Sequence, residues 1–252
     1  MNYILQIATF AGQIILENGG ETYRVEETIW RICKSFGAEE ADSFVMPTGI
    51  MTSIVHNGET YSITKRVSKR TVDLDKIDKV NALARNINTY NLTPAEFKVK
   101  LQEINNGERY SNLITIFFAS LGAGSFTILF GGNHKDLIAA FLIGVIIKLI
   151  VNKGDKLQLN PFFTNFIASA VTAILAILLF KLNIASNLDT TIIGSFMLLV
   201  PGLAITNAIR DTIAGDLVSG LTRAAEAFLV AISIAAGSGT ILSLWISNIG
   251  GL

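Results

Sequence analysis

Beyond Tyr110 the chain is built from long runs without a charged side chain. With histidine counted as neutral, none occurs from Tyr110 to His134, from Leu157 to Phe180, from Thr190 to Ile209, or from Ala227 to the end. A bilayer core about 30 Å thick is crossed by about 20 apolar residues in a helix. These runs therefore commit the second part of the chain to membrane helices. A shorter run, Leu137–Val151, carries only Lys148, whose stem can lie along apolar surface while the ammonium reaches the interface. The expected spans are 111–130, 136–152, 162–181, 188–207 and 217–248.

Composition agrees. Half of the 252 residues are hydrophobic and 16% are charged, with a mean hydropathy of +0.50. Most charges precede Arg109, so the chain divides into a polar domain, 1–108, and a membrane domain, 109–252. The expected fold is an α-helical five-span bundle preceded by a soluble α+β cytoplasmic domain. A formal net charge of zero gives no reason to expect nucleic acid. One cysteine, Cys33, and two separated histidines, His56 and His134, make no metal site. No phosphate-binding loop and no Ser/His/Asp set appears. The reading is of a protein that is not an enzyme and needs no cofactor.

The polar domain has legible punctuation. The start lacks the basic region and cleavage site of a signal peptide. Its apolar run, Tyr3–Leu16, is 14 residues, too short to span. It reads as a helix of the soluble domain, with a membrane-surface helix as the alternative. Asn18-Gly19-Gly20 suits its stop, and a second helix comes after it over 22–36, with Val25, Ile29, Ile32 and Cys33 on one face. DSFVMP, GIMTSIVH and ETYSITKRV read as strands, the last two joined by a hairpin at His56-Asn57-Gly58. Helices are expected over 74–89 and 93–105, the latter capped by Thr93 with Pro94 in its first turn.

Loop charges orient the chain. With the polar domain in the cytoplasm, inside loops hold Arg109, Lys148, Lys153, Lys156, Arg210 and Arg223, and outside loops only Lys135 and Lys181. Cytoplasmic loops are enriched in Lys and Arg, so the N-terminus is placed in the cytoplasm and the SNIGGL end outside.

The stretch Leu199–Phe228 departs from the pattern. Pro201-Gly202 falls inside the expected fourth span, and Arg210, Asp211, Asp216, Arg223 and Glu226 come after it. Proline breaks or kinks a helix. Within a membrane, freed backbone groups are tolerated where protein or a wet cavity covers them, and transporters bind substrates at such breaks. A packing kink is the alternative. If the fifth helix begins near Asp216, then Asp216, Arg223 and Glu226 share about 80° of one face. That face suits an anionic or zwitterionic substrate, with arginine forking onto a carboxylate. If the helix begins later, residues 210–223 are an inside loop or a short surface helix, and Arg223 and Glu226 an ordinary (i, i+3) pair. Gly122, Ala123, Gly124, Ser125, Gly237 and Gly239 permit close helix contact or a local break. Glu21, Arg24, Glu26 and Glu27 read either as a solvated helix face or, for Glu21, Arg24 and Glu26, as a cytoplasmic gate.

Three motifs in order, NGGETYRVEETI, DSFVMPTGI and VPGLAITNAIRDTIAGDLVSGLTRAAEA, resemble the threonine/serine exporter family over nearly the whole chain. The resemblance is to the split large-subunit type. It implies a secondary exporter in the bacterial inner membrane that moves threonine and serine, or succinate, and works with a separate small five-span membrane subunit. It also marks Pro201, Gly202, Asn207, Arg210, Asp211, Asp216, Arg223 and Glu226 as functional without assigning their roles; charge and position make them substrate-path or coupling residues, with Asp211, Asp216 or Glu226 as proton carrier. Two five-span units would form inverted repeats with a site between them. Homo-oligomerisation is left open. The rival reading is a membrane-anchored sensor or scaffold whose cytoplasmic domain binds a ligand or protein.

Overall fold

Isoleucine, leucine and alanine recur through the first helix, α1 (Asn2–Glu17), so often that nine of its residues are buried. In a computed structural model describing residues 1–107 and 110–249, α1 lies against α2 (Thr22–Ser35), a β-sheet, α3 (Leu74–Arg85) and α4 (Pro94–Asn106). The expected domain boundary at 108/109, Arg109 and the last three residues of SNIGGL lie outside the described residues. The sheet is antiparallel, in the order β1 (Glu40–Met46), β2 (Gly49–His56), β3 (Glu59–Arg66). Ile50, Thr52 and Ile54 of β2 are buried in alternation, the period of a strand with one covered face. His56 pairs with Glu59 across Asn57 and Gly58, whose φ values of 53° and 75° make the mirror-image two-residue turn that fits the strand twist.

Caps close the helices where the sequence places them. Gly19, at φ 95°, lies just past α1, and Gly20 N–H donates to Ile15 O at 2.9 Å. The α4 cap is reciprocal: Thr93 accepts from Glu96 N–H, and the Glu96 carboxylate accepts from Thr93 N–H. Helix α3 ends at Arg85, earlier than the 89 expected, and Asn86 caps it by donating its side-chain amide to Ala82 O.

The apolar part forms α5 (Asn112–Leu129), α6 (His134–Lys156), α7 (Pro161–Lys181), α8 (Leu188–Phe196), α9 (Gly202–Ala214) and α10 (Leu217–Ile249). Among the described residues, α5, α6, α7 and α10 are long and apolar enough to cross a membrane. The expected fourth span is instead two helices too short to cross alone, α8 and α9, separated at residues 197–201. Pro201, without an N–H and with a ring that clashes with the preceding turn, cannot sit inside a continuous helix at no cost.

Contacts divide the chain into two units: Met1–Glu108 with Gly202–Ala225, and Arg109–Pro201 with Glu226–Leu252. The first thus takes up α9 and the first turns of α10. In the second, a core of Ile143, Ile147, Ala168, Ala176, Ile192, Leu199 and Ile234 joins α6, α7, α8 and α10. Its glycines and small residues set the contacts. A Cβ on Gly144 would lie 2.9 Å from Ser120 Cα, one on Gly194 2.7 Å from Thr127 Cα, and one on Gly237 2.3 Å from Phe166 O. Gly124 is tight against Leu137, whereas Gly122 and Gly239 face nothing within 4 Å. Asp136, in the first turn of α6, accepts N–H bonds from Asn133 at 2.9 Å, Ser186 at 2.6 Å and Asn187 at 2.8 Å. Three backbone donors satisfy this buried carboxylate and tie the start of α6 to the start of α8.

Candidate functional site

Backbone and side-chain groups at the start of α2 meet residues 207–223 of α9 and α10, all inside the first unit. The elements that carry the stretch turn sharply. Gly215, at φ 99°, ends α9, and Asp216 N–H donates to Asp211 O at 2.9 Å. Helix α10 then begins at Leu217, as the early-starting reading expected, while residues 210–214 belong to the short helix α9. A Cβ on Gly220 would lie 2.9 Å from Ala208 O, so only glycine permits this approach of α10 to α9.

The helical wheel that results turns Asn207, Asp211 and Arg223 inward, leaving them 1%, 0% and 6% exposed. Asn207 donates its amide to Gly19 O at 2.8 Å, and Arg223 donates to Gly20 O at 2.8 Å. Arg223 Nε also lies 2.9 Å from Asp211 Oδ2, an ion pair set off the line of a good hydrogen bond. The second Asp211 oxygen accepts the N–H of Thr22 at 3.1 Å, and Asp216 accepts the Thr22 hydroxyl at 3.1 Å. Thr22 is the first residue of α2, and the residue before it, Glu21, makes no side-chain cap. Asp211 therefore does the capping from 189 positions away. Its negative charge sits at the positive end of the α2 dipole, where an anion is stabilised.

Glu21 is itself held between two arginines. Arg210 donates to Oε1 at 2.5 Å and Arg24 to Oε2 at 2.9 Å. Burial pushes its carboxyl upward, but the backbone hydrogen bond, Arg210 and Arg24 outweigh burial and hold it below the ordinary carboxylate range. Glu26, one turn further along α2, behaves oppositely. Its Oε1 accepts the Val45 N–H at 2.9 Å, yet burial first, and then the negative charges of Asp216 and Asp211, leave its carboxyl raised. Ser219 on α10 donates to Val45 O at 3.2 Å, so the same β1 residue is held from both sides.

The structure thus joins Glu21, Arg24, Asn207, Arg210, Asp211, Asp216 and Arg223 in one network, with Glu26 beside it. Pro201 and Gly202 mark the break before α9, and a Cβ at Gly202 would meet nothing within 4 Å, so that glycine is not required by packing. Glu226 is half-buried on α10 and groups with the second unit. Sequence reasoning misses Thr22, Ser219, Val45 and the Gly19 and Gly20 carbonyls as partners. The NGGET motif is the available signal, and by sequence it reads as a helix stop. Beside the network lies a cavity of about 390 Å³, on which Glu21, Arg24, Asn81, Arg85, Asn207 and Arg210 all open.

Two curated relatives run almost the length of this chain. One, from Klebsiella aerogenes, is named "Probable succinate transporter subunit YjjP"; it is 22% identical over 236 residues, 92% of this chain and 90% of its own. Another of the same name, from Escherichia coli K12, is 22% identical over 247 residues, 96% of this chain and 94% of its own. No solved structure matches. The family model ThrE, described as "Putative threonine/serine exporter", matches residues 6–245, and the chain belongs to that threonine/serine exporter family.

Proposed function

We propose that this chain is the larger subunit of a secondary active exporter that moves threonine and serine, or succinate, out of the cell. Membership of the exporter family and the apolar helices support a membrane transport role. The observation that carries the finer reading is the helix break at residues 197–201, with the buried pair Asp211–Arg223 on the two helices after it. Broken helices and buried, paired charges are what a substrate path in a membrane protein uses. Charges without a task are rare there because their desolvation is expensive.

In this reading residues 1–108 are cytoplasmic, the chain crosses the inner membrane five times with 188–207 as a broken span, and the C-terminus is outside. Pro201 and Gly202 open the path. Arg210 or Arg223 meets a substrate carboxylate, and Asp211, Asp216 or Glu226 carries the coupling proton. Glu21, Arg24 and Glu26 form the cytoplasmic gate, closed by the Glu21–Arg210 and Arg223–Gly20 contacts. A small five-span subunit completes the path, in keeping with the word "subunit" in the names of both relatives.

The test is efflux of threonine, serine and succinate from loaded bacterial cells expressing the chain alone or with a five-span partner from the same genome. Efflux only with the partner is the expected result, and the preferred solute names the substrate. Arg223→Gln removes a charge-assisted contact of about 1.5–3 kcal/mol and should cut efflux at least tenfold at unchanged membrane abundance. Wild-type efflux from that variant removes Arg223 from the path. No efflux of any of the three solutes, with both proteins in the membrane, overturns the exporter reading for these substrates.

A further inference from the structure

The Glu21 carboxylate is served by two arginines, but by neither of them well. Arg24 offers it one N–H, from Nε, and Arg210 one, from a terminal nitrogen. A guanidinium has five donors in a planar fork, and its strongest carboxylate pairing is bidentate, through two parallel N–H bonds. Neither fork is used in that way on Glu21. Both arginines also remain open to solvent, their side chains 36% and 54% exposed, while the Glu21 side chain is 8% exposed.

The open side of this arrangement is the cavity of about 390 Å³, within the range of small-molecule sites. Helix α3 supplies its far wall with Arg85 and Asn81. Asn81 accepts the Thr28 hydroxyl at 3.0 Å through Oδ1, so its amide N–H groups are the donors it can offer a ligand. Three guanidiniums therefore line the cavity against two carboxylates, Glu21 and Asp78. Arg24 also donates to the Tyr23 hydroxyl at 3.5 Å, whereas among the described residues no bidentate pairing engages Arg210. A cavity with excess positive charge, such a fork and a neutral amide suits an anion, and the planar fork fits a carboxylate.

We infer that the cavity between α3, the Gly19–Glu21 loop and α9 is a binding site for a small carboxylate, and that Glu21 occupies its guanidiniums as a stand-in for the ligand. An incoming carboxylate pairs with Arg210 and Arg24 in place of Glu21, with Arg85 at its other end. Releasing Glu21 loosens one of the ties that hold the Asn18–Thr22 loop against α9. Glu21 is held ionised by its partners, so the exchange is of one carboxylate for another and needs no proton. The inference deepens the exporter reading and rests on it for the transport step after binding, but the binding itself stands on the cavity.

The experiment is equilibrium dialysis of radiolabelled succinate, and separately L-threonine, against the purified full chain in lipid nanodiscs, with glycerol as the uncharged probe. Saturable binding of at least one carboxylate and none of glycerol is expected. Glu21→Gln removes the internal competitor and should tighten the dissociation constant about tenfold, or about 1.4 kcal/mol. Arg85→Gln touches none of the network bonds and should weaken binding about tenfold, as loss of a charged partner does. If Glu21→Gln does not fold, as judged by its melting profile, the Arg85→Gln result decides alone. No saturable binding of either carboxylate overturns the site. So does unchanged affinity in folded Arg85→Gln, and unchanged affinity in folded Glu21→Gln overturns the stand-in role. Binding that meets these expectations in a chain that exports none of the three solutes even with its partner in the membrane would leave the site standing and remove the exporter reading. Export with no binding would do the reverse.

Discussion

The two units hide opposite kinds of residue. In the first, the fully buried positions go to large side chains: Leu5, Ile7, Ile14, Ile29, Ile50, Phe97 and Leu101. In the second, beside Ile143 and Ile147, most go to small ones such as Ala123, Ala139, Ala168, Ser120, Ser169, Thr172 and Ser195, while Leu113, Phe118, Leu129 and Phe163 are exposed. The first pattern is what the burial of apolar area drives. Lipid tails are as apolar as leucine, so the second unit gains little by hiding its large residues and is held instead by close backbone approach. The buried hydroxyls of Ser120, Thr172 and Ser195 donate to carbonyls four residues back on their own helices, which lets them pack as small, satisfied groups. The difference teaches that the same helix period serves two ways of packing, one that fills space with large side chains and one that brings backbones close.

The largest test of that contrast is to shrink the first core. Phe97 is fully buried with its ring edge-on to Phe36, centroids 5.8 Å apart. Phe97→Ala should destabilise the first unit by about 3–5 kcal/mol, read as loss of its chemical unfolding transition in nanodiscs. A cost below about 1 kcal/mol would mean the first core is not tightly packed, and would break the comparison on that side.

The second unit should fail in the opposite direction, on enlargement. A Cβ at Gly237 would stand 2.3 Å from Phe166 O and 2.2 Å from Ser169 Oγ, so α10 must move off α7. Gly237→Ala should cost about 1–3 kcal/mol, as overpacking does, although alanine is the better helix former by about 1 kcal/mol. Gly239→Ala, which meets nothing within 4 Å, is the internal control and should be neutral or stabilising. Equal effects at the two positions would show that helix propensity, not packing, decides there.

This contrast also explains which features could be read from the sequence. The start of α4, the hairpin and the strands are legible because their signals are local: Thr93-Pro94 with Glu96, His56-Asn57-Gly58, and the alternation of Ile50 and Ile54; the end of α3, four residues short of the expected 89, is not. The break before α9 was legible because proline acts on its own helix. The partners of the charged stretch were not. Asp211 meets Thr22, and Arg223 meets Gly20, across 189 and 203 positions, and no periodicity reports a contact between a loop carbonyl and a distant helix. For the same reason the wheel that grouped Asp216, Arg223 and Glu226 could not show that Arg223 turns to Asp211. Among the small residues, Gly124 and Gly237 proved tight and Gly122 and Gly239 open, a distinction that depends on the neighbouring helix and not on the residue.

The smallest expected effect sharpens the first unit's side of the comparison. Glu26 has its carboxyl raised by burial and by the nearby charges of Asp216 and Asp211, so the folded state disfavours its ionised form. Linkage sets the sign: a carboxyl raised on folding contributes stability at acid pH that is lost as pH rises through the folded value. Gln at this position is neutral at every pH and keeps an oxygen to accept the Val45 N–H. Glu26→Gln should therefore melt slightly higher than wild type at neutral pH, and the two should converge as the medium is acidified below the ordinary carboxylate range. Melting profiles of the two proteins across that range check it. A variant that melts lower by the same margin at every pH would show that the carboxylate is held by its hydrogen bond and not opposed by its neighbours. Glu26 would then have to be regarded as a structural strut between α2 and β1, and its place among the gate residues would lose its electrostatic support.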